Sequence, residues 1–206
     1  SNTSAIPISI LQKEVKHPER FLGLHWAEPS HTTRFLEVIC SDLSDVSKGE
    51  WLYELSHSWG KEPTLVRKDI RGFITNRLMY ALYREAFNLV ENGFASVEDV
   101  DRACRNNAGY WMTLVGPFRW MDLTGVPAYH TVMKNLFPTL SNSVEMPKLI
   151  DDIVKEGGKG VANAHGFYPY TAEEAQLWRE TFETFSYEIR ELALRYPADV
   201  VKKKMQ

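Results

Sequence analysis

The apolar residues of this chain change their spacing at Gly72, and that change limits the folds open to it. Before Gly72 they fall in short runs. Arg20-Phe-Leu-Gly-Leu-His-Trp26 is stopped by Pro29, Phe35-Leu-Glu-Val-Ile-Cys40 is rich in strand formers, and Thr64-Leu-Val66 follows Pro63. Runs of this length and composition predict strands. Between the second and third, Asp45 to Trp59 spaces Val46, Trp51, Leu52, Leu55 and Trp59 close to a helical period, and Ile6 to Val15 is a short helix. Apolar strands with a helix between them predict part of a sheet covered on both faces.

After Gly72 the strands stop. Phe73 to Val90 carries apolar side chains around much of its circumference, which predicts a helix in the middle of a helical domain. Gly93 fits its C-cap, Ser96 with Asp99 resembles a capping box, and Thr171 with Glu174 is a cleaner one. In the last helix Trp178, Phe182, Phe185, Ile189, Leu192 and Tyr196 alternate steps of four and three, a heptad-like seam. Such a seam suits a helix docked on its own domain or a homodimer interface, and both stay open. The expected fold is an α/β remnant, the C-terminal part of a Rossmann-type sheet over residues 1–68. An all-α helical domain follows over residues 69–206.

A net charge of -3 argues against a nucleic-acid partner, which calls for a basic surface. The run Lys202–Lys204 reads as a solvated tail. Cys40 and Cys104 have neither CxxC nor metal-ligand spacing, so no metal is expected and free thiols in a reducing compartment fit best. No apolar stretch approaches the ~20 residues of a membrane span. Ser1-Asn-Thr-Ser4 lacks the basic and apolar regions of a signal peptide. The expectation is a cytoplasmic protein without a membrane partner, with an organelle matrix as the alternative.

Two residues in the first part suggest chemistry. His25 ends an apolar strand, and open α/β sheets bind ligands beyond the carboxyl ends of their strands. Glu37 lies 12 residues on, inside the next strand, an unusual place for a carboxylate unless something pairs with it. Oxidising a secondary alcohol needs a base for the hydroxyl proton while hydride leaves the carbon. Histidine titrates near working pH, and a carboxylate on its far nitrogen fixes the tautomer and stabilises the imidazolium. The bland alternative is a strand-capping His25 and a Glu37 that pairs with Arg34 on the surface.

The segments Ser1-Asn-Thr-Ser-Ala-Ile6, Arg20-Phe-Leu-Gly-Leu-His25-Trp-Ala-Glu-Pro29 and Leu36-Glu-Val38 resemble a pattern of the L-3-hydroxyacyl-CoA dehydrogenases. Gly72-Phe-Ile-Thr-Asn-Arg-Leu78 is similar to their helix start. Glu91-Asn-Gly93, Ser96 to Asp101, Gly116-Pro-Phe118 through Asp122 and Gly166-Phe-Tyr168 continue the likeness in order. The resemblance implies an NAD-dependent enzyme with a small-molecule substrate, a 3-hydroxyacyl-CoA or related 3-hydroxy acid. It casts His25 as catalytic base and Glu37 as its partner. Ser4 would lie near substrate and nicotinamide, Asn76 would hold substrate, and Lys159 would face the cofactor. For Ser4 and Asn76, turn chemistry and helix capping are the structural alternatives.

Three departures qualify this. The sequence contains no GxGxxG on a first βα turn, nor the acidic residue that follows it by about 20 positions. The expectation is therefore a fragment that is inactive alone and has an unpaired sheet edge. Glu28 stands where the family has asparagine, and a carboxylate there would repel an anionic substrate group. The stretch Ala108 to Gly116 is long, closer to the lambda-crystallin and L-gulonate or carnitine dehydrogenase branch. A free hydroxy acid substrate, or a non-catalytic structural module, are the alternatives.

Overall fold

The computed structural model describes residues 1–206, which form two compact units, Ser1–Ala81 and Leu82–Gln206. In the first unit all three apolar runs become strands: β1 (Gly23–His25), β2 (Glu37–Ile39) and β3 (Thr64–Val66). The sheet order is β1-β2-β3, with β1 antiparallel and β3 parallel to β2. A parallel pair needs a crossover, and helix α2 (Val46–His57) supplies it. Asp45 opens α2 by accepting a hydrogen bond from the Ser47 N–H. Contacts with Lys48 and Ser47 hold the Asp45 carboxyl at about 2.

Both faces of the sheet are covered, as the alternation of its side chains requires. On one face Ile8 of α1 (Ile8–Leu11), Ile39, Val66 and Phe73 form the buried core. Gly23 makes this possible, because a Cβ there would meet the Ile8 and Ile39 methyls at 2.9 Å. On the other face Gly49 brings α2 so close that a Cβ would stand 2.4 Å from Cys40 Sγ. Burying an aliphatic or aromatic side chain contributes about 1.5–3 kcal/mol to the unit's stability, and Leu36 and Val38 are buried as fully as this cluster. A buried amide adds to it: Gln12 Nε2 donates to the carbonyls of Pro18 and Phe21 and to Ser44 Oγ. The outer edge of β1 is also engaged, since Leu24 N–H donates to the Ser1 carbonyl at 2.8 Å.

Helix α3 (Thr75–Glu91) begins two residues later than its apolar pattern suggests. Gly72 and Phe73 both take positive φ, +79° and +48°, and helix geometry cannot start before them. For a phenylalanine that backbone costs about 1–3 kcal/mol, which its near-complete burial offsets. The helix ends at Gly93 as expected. Gly93 N–H donates to Val90 and Phe94 N–H to Leu89, the paired closure that a glycine at positive φ permits.

The second unit contains α4 (Val97–Asn106), α5 (Ala108–Met112), α6 (Pro117–Thr124), α7 (Val126–Leu136), α8 (Lys148–Lys155), α9 (Ala172–Arg195) and α10 (Val200–Lys204). Ser96 caps α4, and the full reciprocal box of Thr171 and Glu174 opens α9. Carboxylates on α3 hold the following segment: Glu85 accepts from Ser141 N–H and Glu91 from Leu149 N–H. Tyr168 OH donates to Asp101 at 2.6 Å, and that bond pushes the phenol up to about 12. One expectation fails here. The apolar pattern of α3 predicts a buried central helix, yet none of its residues is buried. The reason is that this unit buries little at all: only Ala175 and Ser186 are enclosed, and Trp178, Phe182 and Phe185 of α9 are more than half exposed. The lysines at 202–204 are exposed, as read, but lie on α10. No helix is long and apolar enough to cross a membrane.

Candidate active site

The spacing of 12 between His25 and Glu37 has a simple origin. They are the last residue of β1 and the first of β2, and the antiparallel register sets them directly opposite each other. Facing residues on one side of a sheet have Cβ atoms about 4.5–5.5 Å apart, close enough for their side chains to meet. His25 Nδ1 lies 2.8 Å from Glu37 Oε2. The pair is enclosed, with His25 5% exposed and Glu37 fully buried. The surface alternative for Glu37 does not occur, since Arg34 pairs with Glu62 instead, at 3.3 Å.

A buried carboxylate needs all its acceptor sites used. The second oxygen of Glu37 accepts from the backbone N–H groups of Ile74 and Thr75, both at 3.0 Å. These are orphan donors at the start of α3, where the helix dipole also favours negative charge. The two positive-φ residues before them aim these N–H groups at Glu37. Phe73 itself packs on the imidazole, its ring centroid 5.6 Å away, and the edge of Phe35 approaches the same ring at 5.5 Å. His25 is thus held on three sides, and with Nδ1 engaged the nitrogen left for a ligand is Nε2.

His25 lines an open cleft of about 690 Å³. Ser4, Asn76 and Glu28 line it too, so three of the site residues read from sequence meet at one place. Asn76 does not cap its helix, a task Glu37 performs. Its Nδ2 donates to the Ser4 carbonyl at 2.7 Å, which ties the segment containing Ser4 to α3. Across the cleft Asn2 Oδ1 accepts from the Trp26 N–H at 3.0 Å. Lys159 lies in the second unit, exposed, on a turn where its N–H donates to Asn163 Oδ1. Asn2, Trp26, Ser30, Phe35 and Thr75 also line the cleft without having been singled out. Trp26 and Phe35 carried a signal, as large aromatics flanking the two strands. Thr75 and Ser30 carried none.

Comparison with known proteins accords with this geometry. Residues 1–70 match a family model described as 3-hydroxyacyl-CoA dehydrogenase, NAD binding domain, and residues 72–170 match its C-terminal domain. The 5-formyl-3-hydroxy-2-methylpyridine 4-carboxylate 5-dehydrogenase of Mesorhizobium japonicum is 34% identical over 176 residues, 85% of this chain and 57% of that protein. This chain therefore spans little more than half the length of that relative. A crystal structure of an enzyme of that name, described as an NAD+ dependent dismutase, superposes with a TM-score of 0.91 at 31% identity, over 96% of this chain and 64% of that one. The (S)-3-hydroxybutyryl-CoA dehydrogenase of Ralstonia eutropha gives 0.62 at 27% identity, over 83% and 59%. Two consecutive domain matches, the ordered likeness along the chain and a shared backbone lead to one conclusion: the chain belongs to the 3-hydroxyacyl-CoA dehydrogenase family.

Proposed function

We propose that this chain supplies the catalytic base and part of the substrate cleft of an NAD-dependent alcohol dehydrogenase. The observation that carries the proposal is the buried His25–Glu37 contact at the cleft. In the forward direction a substrate hydroxyl donates to His25 Nε2, and the proton passes to the ring as the C–H bond breaks. Glu37 holds Nδ1–H and offsets the positive charge that the imidazole gains. NAD, when bound, supplies the hydride acceptor. The cleft suits that neighbour: its lining mixes the apolar faces of Trp26, Ala27 and Phe35 with neutral amides and hydroxyls around His25 and Glu28, and Ser4 would be a partner for the nicotinamide carboxamide. Asn76 would orient the substrate oxygen through the second N–H of its amide, the first being donated to the Ser4 carbonyl. Lys159 stays a cofactor candidate by resemblance alone.

The family points to a 3-hydroxyacyl-CoA substrate. A second reading, a compact free hydroxy acid or aldehyde acid, is favoured by the much closer backbone match to the pyridine-carboxylate enzyme. Glu28 on the cleft weighs the other way, because a carboxylate there disfavours an anionic group beside the reacting carbon. A substrate panel on a chain carrying the complete NAD-binding domain tests both. Activity confined to CoA thioesters excludes the second reading, and no activity on any alcohol or aldehyde sinks the dehydrogenase assignment.

We also infer that the protein is a homodimer through its helical part. The chain exposes 14779 Å², against about 12,000 Å² for two separate compact bodies of these sizes. The second unit encloses only Ala175 and Ser186, and Trp178, Phe182 and Phe185 of its seam stand more than half exposed, which favours a partner there. A sharp monomer in sedimentation velocity at micromolar concentration would refute it. Free Cys40 and Cys104 fit a reducing compartment, the cytoplasm on this reading.

A further inference from the structure

Lysine is among the residues least often buried, because its ammonium must give up water. Lys61, in the connection between α2 and β3, is only 9% exposed. Its ammonium donates to the backbone carbonyls of Ser30 and Thr33, about thirty residues away in sequence. The same ammonium stands 5.2 Å from the centre of the Trp26 ring, within range of a cation–π contact. Trp26 in turn stacks on Trp59 at 6.0 Å and 23°, just before Lys61 in the chain.

Two of the three groups that this ammonium touches belong to residues of the cleft wall. Trp26 follows His25 directly and lines the cleft, and so does Ser30. Ser30 belongs to a tight turn in which the N–H groups of Thr32 and Thr33 both donate to the Pro29 carbonyl. Those bonds close the turn on itself. The ammonium fixes it, because it engages a carbonyl within the turn, another at its end, and the indole on the preceding strand extension. The connection that carries Glu28 is held between those anchors. We propose that Lys61 is a positioning residue that sets the substrate-facing wall of the His25 cleft. It never touches the reacting atoms. It acts through Trp26 and Ser30, so its removal should loosen substrate binding and leave proton transfer at His25 alone.

This inference rests on the oxidoreductase reading of the cleft, and the test separates the two. In a chain carrying the complete NAD-binding domain, Lys61→Met keeps the side chain's length and removes its charge and donors. The expected result is a substrate KM raised about tenfold with kcat within about threefold, the pattern of lost ground-state binding. The KM for NAD should stay unchanged. Lys61→Arg restores charge and donors in a wider, planar head, and should recover part of the loss. A substrate KM within about twofold of wild type in Lys61→Met, whatever its melting temperature, overturns the inference, as does a loss confined to kcat. If Lys61→Met does not fold, Lys61→Gln, which keeps a donor but loses the charge and the reach, decides instead: a raised KM at retained kcat supports the role, and an unchanged KM refutes it. A wild type without turnover sinks the dehydrogenase reading and this inference with it. A wild type that turns over beside an unshifted variant sinks this inference only.

Discussion

Replacing Glu37 by alanine and by glutamine separates its two tasks. The carboxylate receives three hydrogen bonds in a fully buried place: from His25 Nδ1, Ile74 N–H and Thr75 N–H. Glu37→Ala removes every acceptor and leaves three donors without partners. Each stranded buried donor costs about 1–3 kcal/mol. Water entering the space recovers part of that, so the expected loss is about 3–5 kcal/mol, a large fraction of a typical domain's 5–15. Glu37→Gln keeps an oxygen for the two helix N–H groups and turns its NH₂ toward His25. That costs only about 1–2 kcal/mol, but the imidazole must then accept at Nδ1 and carry its proton on Nε2, where no base remains. Urea unfolding followed by tryptophan fluorescence reads the first quantity. Heteronuclear NMR of the imidazole nitrogens reads the tautomer directly, in this chain and without cofactor. In the complete enzyme the glutamine variant should lose about 10³–10⁴ in kcat, as expected for a base held in the wrong tautomer. If Glu37→Ala unfolds within 1 kcal/mol of wild type, or Glu37→Gln keeps its proton on Nδ1, the reasoning fails.

Other outcomes follow from the packing and the charges. Gly49→Ala sets a methyl 2.4 Å from Cys40 Sγ and should destabilise the first unit by about 1–3 kcal/mol, read as a lower melting temperature. Asp45, held at about 2 against an ordinary 3.8, favours the folded state above pH 3.8 and loses that contribution as pH falls through 2. Asp45→Asn should therefore flatten the acid limb of a stability–pH curve over that window. Tyr168 works in the opposite direction. Its phenol is raised from 10.0 to about 12, so its bond to Asp101 is fully present below pH 10 and is lost as pH rises through 12. Tyr168→Phe should remove the alkaline dependence across that range and leave Phe167 packed against Phe87, which circular dichroism against pH will show.

Much of the first unit was legible because its signals are local. Short apolar runs rich in strand formers gave all three strands, and Asp45, Gly93, Ser96 and Thr171 marked helix ends where the structure has them. His25 and Glu37 were legible as a pair only through chemistry and resemblance, because a gap of 12 says nothing of register. The capping of α3 by Glu37 was not legible at all. It depends on two positive-φ residues, one of them a phenylalanine, and on a partner more than thirty residues away. Lys61 was hidden for the same reason: its partners are backbone carbonyls, which carry no side-chain signature. The exposure of α3 was misread because apolar periodicity reports a surface that must be covered. It does not report which chain covers it.

The shared use of Glu37 bears on how descendants of this sequence should be judged. A glutamate that caps a helix and closes a core would be retained by selection for folding even after catalysis has been abandoned. His25 does less for the fold, giving Glu37 one of its three hydrogen bonds and packing on Phe35 and Phe73. In a drifting copy of this gene the histidine should therefore go first and the glutamate last. Loss of His25 beside a persisting Glu37 would mark a protein kept for its shape.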